Sequence, residues 1–171
     1  MRLKKEIVSL NVGKIDVSKF TGTYINPSQW NDIISRENIR LIDVRNQYEI
    51  KIGTFEDAIN PLTSNFREFQ TKFDKLNIKK SETIAMYCTG GIRCEKASAH
   101  LKLKGYTNIL QLEGGILNYL EYYKKNKNKN KWKGECFVFD NRVTVKKNLK
   151  KGNFDQCYGC RNPINKYDKK S

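Results

Sequence analysis

Apolar and polar positions follow two rhythms along this chain. Short apolar runs lie at residues 40–44 (Arg40-Leu41-Ile42-Asp43-Val44), 83–87 (Thr83-Ile84-Ala85-Met86-Tyr87) and 108–112 (Asn108-Ile109-Leu110-Gln111-Leu112). Runs this short and this apolar predict buried strands. Between them apolar residues recur at spacings of three and four. Trp30, Ile33 and Ile34 follow Asn26-Pro27, an arrangement that starts helices. Phe66, Phe69, Phe73 and Leu76 predict an amphipathic helix with the rings in the core. A further helix is expected from about Arg93 to Lys104, with Gly105 as its stop. Another follows Glu113-Gly114-Gly115 and carries Ile116, Leu117, Tyr119 and Leu120. Residues 6–10 read as a short strand, and Ala58-Ile59-Asn60-Pro61 as a strand or extended turn. Strands alternating with helices predict an α/β fold, a mainly parallel sheet with helices on both faces.

The pattern breaks at residues 124–131, where lysine and asparagine alternate without an apolar residue. This is read as a solvated linker. It divides the chain into a lead-in segment (1–25), the α/β domain (26–125) and a basic linker with a partial cysteine-containing C-terminal region (126–171). Within the last part Cys136-Phe137-Val138-Phe139-Asp140 predicts one short strand, followed by Arg142-Val143-Thr144-Val145. From Lys146 onward the chain is polar and poor order is expected, giving a small irregular extension.

Candidate chemistry concentrates where the second apolar run ends, in Cys88-Thr89-Gly90-Gly91-Ile92-Arg93-Cys94. A cysteine at a strand end, a turn with two glycines, an arginine and a helix start come in order. The glycines let backbone N–H groups curl toward the sulfur. The helix presents its positive end, and Arg93 adds a full charge. Both effects lower a thiol pKa, and the thiolate is the nucleophile. In open parallel sheets, sites lie beyond the carboxyl ends of strands, where Cys88 is expected. The alternative is a buried strand-end cysteine beside a glycine turn, and a thiol sealed in the core would exclude the reactive role.

Charge changes the picture next. Lys and Arg number 33 against 18 Asp and Glu, a formal net charge of +15. From Glu121 to Ser171 there are fifteen basic and five acidic residues. Either the chain is simply lysine-rich, or it meets a polyanion, most plausibly RNA. Lys124, Lys125, Lys127, Lys129 and Lys131 interleaved with Trp132, beside Tyr122 and Tyr123, suit stacking and phosphate contact. The five cysteines and the absence of an apolar stretch near the start argue against a secreted disulfide framework. A cytoplasmic setting without membrane contact is expected.

The active loop, six residues from Cys88 to Arg93, resembles that of the rhodanese superfamily; the related cysteine phosphatases have one residue more. The likeness is closer still to one family, the bacterial rhodanese-domain tRNA uridine hydroxylases. It runs through Lys5-Glu6-Ile7-Val8, Gly22-Thr23-Tyr24-Ile25, Ile42-Asp43-Val44-Arg45-Asn46-Gln47-Tyr48-Glu49, the loop with Cys94-Glu95-Lys96-Ala97, and Gln111-Leu112-Glu113-Gly114-Gly115-Ile116. It continues in Cys136-Phe137-Val138-Phe139-Asp140-Asn141-Arg142-Val143 and Cys157-Tyr158-Gly159-Cys160-Arg161. The resemblance implies a rhodanese-like fold, Cys88 as catalytic residue, tRNA as partner and oxygen-dependent conversion of the wobble uridine to 5-hydroxyuridine. Molecular oxygen is the implied co-substrate; no other cofactor and no DNA partner is expected. Against that family the chain is expected to lack the preceding domain and a second Cys-x2-Cys, and Thr54 stands where related domains often have histidine. The alternatives are a persulfide-forming sulfurtransferase and a non-catalytic RNA-binding remnant.

The remaining candidates carry structural readings alongside functional ones. Cys94 is either a resolving thiol for Cys88 or a small residue packed in the first helical turn, with the second preferred. Asp43 and Arg45 are read as loop support, with Asp43 expected in a buried ion pair or as a loop brace; the alternative for Arg45, the less favoured one, is to hold an anionic substrate. Cys157 and Cys160 supply half of a zinc site, with Cys136 as a conceivable third ligand, and no metal is expected. His100 is read as a surface residue.

Overall fold

The computed structural model describes Leu10 and residues 16–125 and 129–168. The expected strand at residues 6–10 lies outside the described residues save for Leu10. Four parallel strands form the central sheet in the order β1-β5-β4-β2: β1 (Thr23–Ile25), β2 (Ile39–Asp43), β4 (Thr83–Tyr87) and β5 (Ile109–Leu112). Beyond β2, Ile59 forms a parallel bridge with Ile42, which is how the stretch at 58–61 joins the sheet.

Alternation along the strands splits the core into two layers. Leu41, Ala85, Tyr87 and Leu112 face α2 (Pro27–Ile34) and α6 (Gly115–Tyr123). Ile42, Ile84, Met86 and Cys88 face α4 (Phe69–Asp74) and α5 (Ile92–Leu103). The chain is therefore an α/β fold with a parallel central sheet covered on both faces.

Local signals set most of the element ends. Asn26 caps α2, accepting from the Ser28 amide at 3.0 Å, with Pro27 in the first turn where its missing N–H costs nothing. The aromatic helix opens with a 3-10 turn (Phe66–Glu68) capped by Asn65 and continues as α4, with Phe66, Phe69 and Phe73 all buried. α5 ends at Leu103, and Gly105 follows at φ +95°, its amide bonded back to the Lys102 carbonyl at 2.9 Å.

Four elements ahead of the aromatic helix escape the periodicity. These are α1 (Val17–Phe20), β1, α3 (Gln47–Ile50) and β3 (Gly53–Phe55). Each has three or four residues, too short to show a period. His100 is buried, not a surface residue, in an α5 that is buried along most of its length and has α1 against it.

The largest departure concerns the domain edge. Residues 129–131 are pinned: Asn31 donates to the Lys129 carbonyl at 2.6 Å, and the Lys131 amide donates to the Tyr119 hydroxyl at 2.8 Å. Trp132 then opens β6 (Trp132–Gly134), which pairs antiparallel with β3, setting Trp132 opposite Phe55. Phe55 is ringed edge-on by Tyr119 (4.8 Å), Tyr87 (4.9 Å) and Trp132 (5.1 Å). A single tryptophan after a charge run carries no periodic signal, yet it fills the core of the preceding domain.

The extension itself is built. β7 (Cys136–Phe137) pairs with β8 (Thr144–Val145), and β9 (Asp155–Gln156) with β10 (Pro163–Ile164). The expected strand through Asp140 thus stops at Phe137. The Glu135 carboxylate accepts from the Thr144 hydroxyl at 2.6 Å and from the Asn153 amide at 2.9 and 3.0 Å, tying down a segment that polarity alone suggested would be loose. Trp132→Ala is expected to cost about 3–5 kcal/mol, the usual result of emptying a large aromatic site. Urea unfolding followed by circular dichroism measures it; a loss below about 1 kcal/mol would mean that the extension is peripheral.

Candidate active site

β4 delivers Cys88 to the carboxyl end of the sheet, as the chain pattern required. The loop that follows is held by the start of α6: the Ile116 amide donates to the Cys88 carbonyl at 2.9 Å, and the Leu117 amide to the Thr89 carbonyl at 3.1 Å. This approach needs a residue without a side chain at Gly115. A Cβ there would sit 2.5 Å from the Cys88 carbonyl oxygen and 2.8 Å from the Gly91 nitrogen, and φ is +66°. Gly91, at φ +93°, makes the turn into α5 and donates its N–H to the Cys88 sulfur at 3.1 Å.

Cys88 is 1% exposed, far more enclosed than an open strand end implies, yet it is closed off on one side by the exposed glycine loop and not by core on all sides. On one side it packs in the layer of Ile42, Met86 and Val44. On the other its cover is the loop. Gly91 bonds to it directly, while Gly90 is exposed with nothing within 4 Å of an added Cβ. Burial opposes ionisation of this thiol, but the hydrogen bond from Cys94, the Arg93 charge and the N–H groups of Cys94 and Gly91 outweigh it and hold the pKa at about 6. Of the converging amides expected, two meet the sulfur, and α5 adds its positive end. Cys94 itself is fully buried in the first turn, and burial beside Cys88 pushes its thiol well above its ordinary value. It supports the loop by donating to the thiolate.

Arg93 does not stand as a free cation. Its guanidinium is buried and bidentate to Glu49 at 2.6 and 2.8 Å, and also donates to the Thr89 hydroxyl at 3.3 Å. Glu49 is the residue that the chain pattern did not single out. A signal existed in Asn46-x-x-Glu49, since the Asn46 amide donates to the Glu49 carboxylate at 3.0 Å as at a helix start. Nothing local pairs Glu49 with an arginine 44 positions on. Ile92 is half-exposed beside the loop.

Asp43 and Arg45 form a second buried pair. The Arg45 guanidinium donates to Asp43 at 2.9 and 2.6 Å and to the Gly53 carbonyl at 2.6 Å, and lies 5.0 Å over the Trp132 ring. The Asp43 carboxylate also accepts from the Arg45 amide at 3.1 Å, which ties down the loop after β2. Arg45 is fully buried with its guanidinium turned onto Asp43 and Gly53, a position that suits loop support and not the alternative of holding an anionic substrate. Thr54 fills the space nearby, with its hydroxyl 2.9 Å from that of Tyr87.

The lysine run does not assemble as a stacking surface. Trp132 is in the core and shows no face to a base, which corrects its expected role. Lys131 reaches the Ser35 hydroxyl, Lys124 pairs with Glu121 at 3.6 Å, and Lys125 and Lys129 are exposed. Lys127 lies outside the described residues.

Cys157 and Cys160 sit on a tight turn in which the Arg161 amide donates to the Cys157 carbonyl at 3.0 Å. The amides of Cys160 and Gly159 hold the Cys157 thiol below its ordinary value. Cys136 is fully buried elsewhere in the core, where burial pushes its thiol up to about 12. Among the described residues no group of three or more His, Cys, Asp or Glu is placed to hold a metal ion, and no helix is long and apolar enough to cross a membrane.

A parallel sheet that ends in an amide-lined cysteine loop, braced by a buried arginine, defines a class of α/β proteins built around one thiolate. The family model described as Rhodanese-like domain matches residues 26–122, and the chain belongs to this family. Its fold is shared with solved structures. The reduced CoADR-RHD of Bacillus anthracis is 24% identical, with 63% of this chain and 18% of that chain covered and a TM-score of 0.52. The rhodanese-like domain of an Anabaena sp. protein is 15% identical, with 67% and 80% covered and a TM-score of 0.51. A rhodanese-related protein from Thermoplasma volcanium is 24% identical, with 58% and 92% covered and a TM-score of 0.47. Rhodanese-like domains are commonly catalytic, in sulfur-transfer, persulfide or redox chemistry.

Alkylation by iodoacetamide, followed at each cysteine by peptide mass spectrometry, should report a Cys88 rate that is flat above about pH 6 and falls about tenfold per pH unit below it. Cys94→Ala removes a donor and should raise that midpoint, whereas Cys94→Ser keeps an O–H donor and should hold it. A Cys88 that titrates like an ordinary thiol, or never alkylates in the folded protein, would contradict the site. Gly115→Ala should lower stability by at least about 1–2 kcal/mol, from the positive φ alone, and disturb Cys88 reactivity with it.

Proposed function

We propose that this chain uses Cys88 for the hydroxylation of the wobble uridine of tRNA to 5-hydroxyuridine. The observation that carries the reading is the placement of Cys88 between the end of β4 and the start of α5, where its sulfur accepts from the Gly91 amide at 3.1 Å. Cys94, Arg93 and the loop amides lower its pKa to about 6, which favours the nucleophilic thiolate. The segments that resemble the tRNA uridine hydroxylases and the basic C-terminal extension support the choice of substrate.

The chemistry follows from thiolate addition. The Cys88 sulfur bonds to C6 of the pyrimidine, which leaves C5 electron-rich. C5 takes up an oxygen atom derived from dioxygen; loss of the C5 proton and expulsion of the thiolate then restore the ring double bond. Dioxygen and a two-electron reductant balance the reaction, with the second oxygen atom leaving as water. Because Cys88 is 1% exposed, contact with a base requires the cover at Gly90-Gly91 to give way. Glycines make that shift cheap.

The same thiolate and the same six-residue loop from Cys88 to Arg93 support a second reading. Here Cys88 takes the outer sulfur of thiosulfate as a persulfide, releases sulfite, and passes the sulfur to cyanide. A third, a non-catalytic RNA-binding remnant, predicts RNA affinity indifferent to Cys88→Ser. Nucleoside mass spectrometry of tRNA incubated with wild type and Cys88→Ser separates them. Wild type should yield 5-hydroxyuridine and the variant none above background; product from the variant would exclude a covalent role for the thiol. Thiocyanate release without hydroxyuridine would establish the second reading instead.

A further inference from the structure

Among the described residues the most exposed large hydrophobic side chains are Tyr158 (98%), Tyr167 (85%) and Phe139 (71%). All three lie in the extension, where residues 129–168 carry ten Lys and Arg against four Asp and Glu. Aromatic rings left in water among excess cations suit a single-stranded nucleic acid, whose bases stack and whose phosphates attract the charge. The lysine run places its own aromatic, Trp132, inside the core, so any stacking must come from these other rings.

Phe139 is the one of the three tied to the thiolate loop. It follows β7, whose Phe137 carbonyl accepts from the Thr89 hydroxyl of the loop at 3.5 Å. The Phe139 ring stands edge-on to Phe137 at 5.1 Å, and the Arg93 guanidinium lies 5.8 Å from its centroid. Arg93 is in turn one of the groups that hold Cys88 ionised. Phe137 is itself braced by Tyr48 of α3 at 5.3 Å. The turn beyond is closed by the Val138 amide on the Val143 carbonyl at 2.9 Å and by the Arg142–Asp140 pair at 2.6 Å. The ring is thus mounted on a braced support next to the loop while most of its surface stays in solvent. Folding alone does not account for it, since burial stabilises a ring by removing it from water and this one is 71% exposed.

We infer that Phe139 is the stacking platform for a nucleobase of the RNA strand that approaches the Cys88 loop. The inference rests on the reading of the substrate as a tRNA uridine and adds to it the residue that seats the base. An RNA-stacking ring is sequence-tolerant, so Phe139 supplies affinity and placement, and the thiolate supplies the chemistry.

The test uses the full chain and an anticodon stem–loop RNA, with binding followed by fluorescence anisotropy. Phe139→Ala should weaken binding by about 5- to 150-fold, the range of one lost base stack. Phe139→Leu, which keeps apolar bulk without a π face, should weaken it similarly, while Phe139→Trp should retain it. Because Trp30 and Trp132 are both buried, quenching of the introduced indole on RNA addition reports stacking directly. The far-ultraviolet circular dichroism spectrum and urea midpoint should be unchanged in all three variants, which shows an intact fold. Unaltered binding by Phe139→Ala, full binding by Phe139→Leu, or a wild type that does not bind the stem–loop would each overturn the inference. Binding through Phe139 without any hydroxyuridine would keep it and remove the hydroxylation reading; hydroxylation unimpaired in Phe139→Ala would do the reverse.

Discussion

The bidentate pair between Arg93 and Glu49 holds the site together. Both groups are buried, so separating them would strand a charge away from water, at a cost of about 3–5 kcal/mol. The pair joins α3 to the first turn of α5 across the loop that carries Cys88. It also fixes Arg93 where its charge acts on the sulfur. An arginine free to swing into solvent would be screened and would lend the thiol little. The Cys94 hydrogen bond stabilises the thiolate more than this charge does.

That balance explains how a nearly inaccessible sulfur ionises at all. Desolvation is the largest influence on Cys88 and works against the anion. Three kinds of group reverse it: a thiol and two amides that donate hydrogen bonds, and a guanidinium that acts through its charge. Each is immobilised by something else, Cys94 by the helix, Arg93 by Glu49, and Gly91 by a loop seated on the amides of α6. The arrangement is preorganised, so little reorganisation accompanies ionisation. Its counterpart is a covered nucleophile, with two glycines as the part of the cover that yields most easily.

The extension changes what counts as the domain. A boundary drawn at the lysine run follows composition, yet Trp132 and Phe55 share one aromatic cluster with Tyr87 and Tyr119 across it. Arg45 lies over the same tryptophan, so the second buried ion pair also leans on the extension. The segment from β6 to β8 is consequently part of the folded body. It carries Phe137 and Phe139 to the edge of the thiolate loop, which places the proposed RNA platform there.

Much of this was legible in the chain. The apolar runs marked β2, β4 and β5, because strands buried on both faces must be apolar throughout. Spacings of three and four marked α2, α4 and α6, while α5 was marked by its start near Arg93 and its stop at Gly105. Cys88-x-Gly90-Gly91 and Arg93 marked the reactive loop, since the chemistry there depends on neighbours in sequence. Elements of three or four residues stayed hidden because they are too short to show a period. Glu49 as the partner of Arg93, Arg45 as a sealed brace, Trp132 as core and Phe139 as an exposed ring were decided only by tertiary structure. Each depends on which distant segments meet, and a pattern of neighbours holds no record of contacts made across 44 positions.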